Sequence, residues 1–267
     1  MNSSADSEIS FPKVVEQPVL WGYHEDSQEA DKYKAIVDDN TKKLYSVVSK
    51  DYRLIRHEDA IEEIEKAILT CPDLGEHEVK TEFYNDGGRM QRVYTFVEVA
   101  VQIQDNDLVN PELHLYNSYD VTWPFTVLLG AYRLVCSNGL TIGKTFMQLK
   151  KRHTFELEMA NCKEQVSTTL DQFNSQTEQW KRWAGRKLTP NISDNVIIKM
   201  EFGEKARDEI ELRIIQESKD CDDEGFPMIS IWAFYNVLTW YITHRHVSLN
   251  HRVEMEKRLR GALKELN

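Results

Sequence analysis

Apolar residues along this chain change period twice, and each change marks a change of element. Ala60, Ile61, Ile64, Ala67 and Ile68 recur at spacings of three and four, which predicts a helix opening at His57-Glu-Asp-Ala and stopping at Pro72. Just upstream, Tyr45-Ser-Val-Val-Ser reads as a short strand. Val79 to Tyr84 and Arg92 to Gln104 are β-rich runs joined by Asn85-Asp86-Gly87-Gly88, a hairpin turn. In the second run Val93, Val97, Val99, Val101 and Ile103 alternate with polar residues, Phe96 standing out of phase, so these positions are expected to face the core. Leu113 to Tyr116 and Phe125 to Cys136 extend the meander around a loop at 118–124.

From Thr154 to Lys187 the period becomes helical. Phe155, Met159, Cys162, Val166, Leu170, Phe173, Thr177 and Trp180 predict one helix of about 30 residues. Val196 to Phe202 fits a helix or a strand. Ala206 to Ile215, Met228 to Thr243 and Arg252 to Leu266 read as helices. The fold class is therefore α+β: an antiparallel β-meander packed by one long helix, with a helical C-terminal part. Three segments are expected: an acidic, partly ordered N-terminal arm over 1–40, an α+β core over 41–190 and a mainly helical part over 191–267.

Charge adds a contrast that periodicity does not show. The chain carries a net charge of −11, and residues 1–40 hold nine acids against three bases. Between Val121 and Phe155 stand Arg133, Lys144, Lys150, Lys151 and Arg152 without one Asp or Glu, a local charge of +5. Trp123, Phe125, Tyr132, Phe146 and Phe155 are interleaved with them. Overall acidity argues against wholesale coating of nucleic acid, but individual Lys and Arg side chains can still line a local groove. The four cysteines (Cys71, Cys136, Cys162 and Cys221) share no metal-ligand spacing and suggest reduced thiols. No apolar run approaches the roughly 20 residues of a membrane helix, and a soluble protein of the cytoplasm is expected.

Candidate chemistry is sparse. Gly139-Leu-Thr-Ile-Gly143-Lys144-Thr145 resembles a phosphate-binding loop, yet only three residues separate its glycines where four are needed to wrap backbone amides around phosphates. Asp73 followed by Glu78-Val79-Lys80 has the residue types of a metal-dependent nuclease, but four intervening residues leave little room for ligands on adjacent strands. His244, His246 and His251 lack partners at metal-ligand spacing and suit a helix end instead. No Ser/His/Asp or Cys/His set assembles, so no catalytic residue, metal or cofactor is expected. Trp180 and Trp183, flanked by Lys181, Arg182, Arg186 and Lys187, offer either a second nucleic-acid surface or a solvated helix end.

Three segments carry a family likeness. Tyr45-Ser-Val-Val-Ser with Tyr52, Ile55, Glu58 and Ala60 is one. Asn117-Ser118 with Asp120, then Arg133-Leu-Val-Cys136-Ser-Asn138-Gly139-Leu and Arg152-His153-Thr154, is the second and most specific. Trp232, Asn236, Thr239, Tyr241 and His244 form the third. Together they resemble phage- and plasmid-encoded proteins grouped as a family of unknown function. The order of strands and long helix is also similar, at the level of fold, to phage single-strand annealing proteins. These resemblances imply a mobile-element origin and suggest a non-enzymatic, self-associating protein that binds single-stranded DNA. Arg133, Lys144, Lys150, Lys151, Arg152, His153, Lys181 and Arg182 would meet phosphates, while Trp123, Phe125 and Tyr132, if exposed, stack bases. The alternative is an acidic interaction or anti-defence factor, whose residues 1–40 and Asp220 to Glu224 engage a basic host protein.

Overall fold

A computed structural model describes residues 10–105, 107–136, 140–151, 162–218, 220–245 and 249–266, with backbone alone at 131–151, 162–170 and positions 24, 249, 250, 252, 253 and 265. The chain opens with β1 (Val14–Trp21), β2 (Gln28–Asp38) and β3 (Leu44–Ser49), an antiparallel sheet in the order β1-β2-β3. Val19–Trp21 and Tyr33–Val37, expected as short ordered pieces of an otherwise loose arm, lie in the longer strands β1 and β2. Val14, Ile36 and Val48 share a face and pack with Tyr45 and Tyr119, which supplies the apolar burial that fixes the strands. The turn between β2 and β3 is tied down by Asp38, whose carboxylate accepts from Asn40 N at 3.0 Å and from Thr41 Oγ1 at 2.7 Å.

Next comes α1 (His57–Leu69), whose Ala60, Ile61, Ile64, Ala67 and Ile68 are all buried as their spacing requires. A six-stranded sheet follows: β4 (His77–Tyr84), β5 (Arg89–Phe96), β6 (Val101–Gln104), β7 (Asp107–Ser118), β8 (Phe125–Cys136) and β9 (Leu140–Lys151). Its order is β4-β5-β7-β8-β9, with β6 on β7. Asn85 and Asp86 sit at φ 53° and 49° and Gly87 at 81°, so the β4–β5 turn uses residues that tolerate the left-handed region.

The buried face of β5 is the opposite of the one expected. Met90, Arg92, Tyr94 and Phe96 are buried while Val93 is half-buried, and Val97 and Val99 lie beyond the strand. Arg92 can be buried because α1 answers its charge: Nη2 donates to Glu65 Oε1 at 2.8 Å and Nη1 to Thr81 Oγ1 at 2.8 Å. β9 is a further strand, not marked by the apolar periodicity, and it places Gly143, Lys144 and Thr145 in extended backbone rather than in a phosphate-binding loop.

The helices are α2 (Cys162–Ala184), α3 (Pro190–Met200), α4 (Glu204–Glu217), α5 (Ile231–Arg245) and α6 (Leu249–Ala262). The start of the expected long helix, 154–161, lies outside the described residues. Thr189 caps α3 by accepting from Ile192 N, with Pro190 in the first turn. The chain divides into two compact units: residues 1–99, 111–129 and 146–169 in one, and 100–110, 130–145 and 170–267 in the other. The second unit has an aromatic core. Trp180 stands 5.2 Å from Trp232, Trp183 stands 5.6 Å from Tyr235, and Trp232 Nε1 donates to buried Asp107 Oδ2 at 2.6 Å.

Candidate nucleic-acid interface

Pleating gives the sheet of the first unit two chemically different faces. The face toward α1 carries Met90, Arg92, Tyr94, Leu115 and Asn117. The other carries Lys80, Glu82 and Tyr84 on β4, Arg89 and Gln91 on β5, and Glu112, His114, Tyr116 and Ser118 on β7, cross-paired as Tyr84 with Arg89, Gln91 with Tyr116 and Arg89 with Ser118. At one end of this second face an aromatic group forms around Trp123, half-buried in the loop before β8. Its ring meets Tyr84 at 5.6 Å and Tyr116 at 5.8 Å, both edge-on, and the Arg89 guanidinium lies 5.7 Å from the ring centroid.

The loop that presents Trp123 is held from several sides. Ser118 Oγ donates to Trp123 O at 2.8 Å and accepts from Trp123 N at 3.1 Å. Asp120 accepts from Arg89 Nε at 2.6 Å and from Asn85 Nδ2 at 2.8 Å. Burial raises the Asp120 pKa, but hydrogen bonds from Thr122, Arg89 and Asn85 outweigh it and hold the carboxyl below its ordinary range. One residue earlier, Asn117 latches α1: its Nδ2 donates to Ile55 O at 2.9 Å and to His57 Nδ1 at 3.0 Å. His57 Nε2–H then donates to Gly87 O at 3.0 Å, which assigns the imidazole one neutral tautomer. The Asn117-Ser118-x-Asp120 signature is therefore a structural latch for Trp123 and α1.

Along the same face runs a polar string. His114 Nε2–H donates to Glu112 Oε2 at 2.8 Å, Tyr116 O–H donates to His114 Nδ1 at 3.3 Å, and Gln91 Nε2 donates to the Tyr116 oxygen at 3.4 Å. Glu112 and His114 are buried, and the string holds Tyr116 against Trp123. Sequence reasoning missed Tyr84, Tyr116 and Arg89; only the alternation of β4, β5 and β7, once paired, puts them on one face. The cations here are already engaged, Arg89 by Asp120 and Lys80 by Glu82 at 2.8 Å.

The expected site residues are divided between the two units. Trp123, Lys150 and Lys151 belong to the first, and Tyr132, Arg133, Lys144, Lys181 and Arg182 to the second. Arg133 and Tyr132 stand on β8, and Lys144, Lys150 and Lys151 on β9, the last strand in the sheet order. Arg152 and His153 lie outside the described residues. Lys181 and Arg182 are exposed near the end of α2, where Lys181 pairs with Glu178 at 2.9 Å. Their neighbours Trp180 and Trp183 are buried, as is Phe125, which removes all three rings from base stacking. Among the described residues no group of three or more His, Cys, Asp and Glu side chains could hold a metal ion. No described helix is long and apolar enough to cross a membrane.

No curated protein matches the chain. Residues 44–263, which run from the start of β3 to just past α6, match the family described as a domain of unknown function (DUF932), and the chain belongs to that family.

Proposed function

We propose that this protein binds single-stranded DNA without a catalytic step, as an annealing or recombination protein of a phage or plasmid. One observation carries the reading. β9, the last strand in the sheet order, carries Lys150 and Lys151 in the unit that also holds Trp123, and neither β9 nor its neighbour β8 contains an Asp or Glu. In a chain of net charge −11, a pair of adjacent strands bearing only positive charge suits a polyanion. Among the described residues β9 has one strand neighbour, so a strand of nucleic acid can lie along its other row of backbone groups. Trp123, fixed beside Tyr84 and Tyr116, supplies a ring for stacking, an interaction worth about 1–3 kcal/mol per base. Annealing needs an extended strand to be presented, so self-association is part of the reading.

Fluorescence anisotropy with labelled single- and double-stranded oligonucleotides of equal length tests this at low and physiological salt. Tighter, salt-sensitive binding of the single strand is expected. No binding of either form at low salt overturns the reading.

A further inference from the structure

The β1–β2 hairpin lies outside the matched family domain, which begins at residue 44 with β3. Its tip gathers large apolar side chains in water. Leu20 and Trp21 are each 63% exposed and Tyr23 is 88% exposed, and no aromatic partner packs on Trp21 or Tyr23 among the described residues. Large apolar side chains shown together to water are costly unless something covers them, and an exposed Trp beside an exposed Tyr is the composition of an interface anchor.

The tip is also built to hold its shape. Gly22 takes φ +119°, and a Cβ there would stand 2.9 Å from Asp26 O, so only glycine fits the turn. A single 3₁₀ turn over His24–Asp26 follows, with Asp26 N donating to Tyr23 O at 3.1 Å. Leu20 pairs with Glu29 and Trp21 with Gln28, which ties the aromatic residues to β2. A preformed tip loses little conformational entropy on binding.

Charge then selects the partner. From Leu20 to Asp31 the sequence holds Glu25, Asp26, Glu29 and Asp31 and no Lys or Arg. Glu29 pairs with Lys50 at 3.3 Å, whereas no ion pair engages Glu25, Asp26 or Asp31 among the described residues. These carboxylates disfavour nucleic acid and anionic lipid. Pro18 within β1, and the register shift between Pro18 and Leu20, interrupt the outer edge of the sheet, so an added strand is not the mode of contact either.

We infer that the hairpin tip docks a protein partner whose surface places Lys or Arg side chains around an apolar pocket. Trp21 and Tyr23 enter the pocket, and Glu25 and Asp26 face the bases at its rim. The inference does not depend on DNA binding, since it uses residues of opposite charge in another sheet.

The test pans a phage-displayed library of random 12-residue peptides on the full chain and measures synthetic copies of the enriched peptides by calorimetry. Expected are peptides rich in Lys and Arg with at least one aromatic or aliphatic residue. Their affinity should fall at least tenfold with Trp21→Ala and with the Glu25→Lys/Asp26→Lys double variant, and should weaken as salt rises. The charge variant guards against a folding defect, because both residues lie on the surface. Enriched peptides without bases, or binding unchanged by Trp21→Ala, overturn the inference. So does Trp21-dependent binding to neutral phosphatidylcholine vesicles, which makes the tip a lipid contact, and so does Trp21-dependent dimerisation in sedimentation velocity, which makes the occupant a second copy.

Discussion

The three-stranded sheet β1-β2-β3 and the strand pair β8–β9 carry charge of opposite sign at the ends of their sheets. The first interrupts its edge with Pro18 and surrounds an aromatic tip with Glu25, Asp26, Glu29 and Asp31. The second ends the six-stranded sheet on a strand whose only charged residues are Lys144, Lys150 and Lys151. Lysines on an outer strand also discourage pairing with other chains, so one set of residues can serve both solubility and phosphate binding. The lesson is that a net charge of −11 averages over segments of opposite sign.

Substituting the residue that joins the first sheet to the second should have the largest effect. Tyr119 packs with Val14, Ile36 and Val48, stacks on His57 with ring centroids 4.0 Å apart, and its hydroxyl accepts from His57 N at 2.8 Å. Tyr119→Ala should cost about 3–5 kcal/mol in urea unfolding, the usual range for deleting a buried ring, and should expose β1 and β2 to protease. A cost below about 1 kcal/mol would mean that the two sheets fold independently. Replacing Lys150, Lys151 and Arg152 together by Ala should leave stability nearly unchanged while weakening single-strand binding. Peptide binding at the hairpin tip should not change, which sharpens the separation of the two surfaces.

Asp120 should give an intermediate effect. Asp120→Asn removes a charge-assisted partner of Arg89 and should cost about 1–3 kcal/mol, with Trp123 fluorescence shifting as its loop loosens. The Asp120 carboxyl is held below its ordinary range in the fold, so its stabilisation is present above pH 4 and is lost as pH falls through the folded value. Acid unfolding from about pH 4 downward should therefore be shallower in Asp120→Asn than in the wild type. The smallest effect is expected for Trp21→Ala, within about 0.5 kcal/mol of wild type, because the side chain is mostly in water. A larger loss would make the tip a structural element rather than a docking one.

Helices were the most legible part of the sequence. Every apolar position marked in α1 is buried, because a strict spacing of three and four leaves little freedom in which face packs. β5 was harder. Its buried set includes Arg92, which no hydrophobic count assigns inward; only Glu65 on α1 and Thr81 on β4 make that site habitable. β1 and β2 were legible only as short pieces at Val19–Trp21 and Tyr33–Val37, since their outward positions include Leu20, Trp21 and Tyr33 and alternation is blurred where the strands face solvent. β9 was missed because Gly143-Lys144-Thr145 imitates loop chemistry inside an extended strand. The aromatic group of Tyr84, Tyr116 and Trp123 draws on β4, β7 and the loop after it, and becomes visible only when pairing is known.

The salt dependence of single-stranded DNA affinity, measured side by side on the wild type and on the Lys150→Ala/Lys151→Ala/Arg152→Ala variant, tests most directly whether the β9 end of the sheet binds phosphate. Each lost phosphate contact lowers the slope of log affinity against log salt by about 0.7 on single strands, so three contacts should remove about 2. Equal slopes in the two proteins would contradict the assignment and place any DNA binding elsewhere on the molecule.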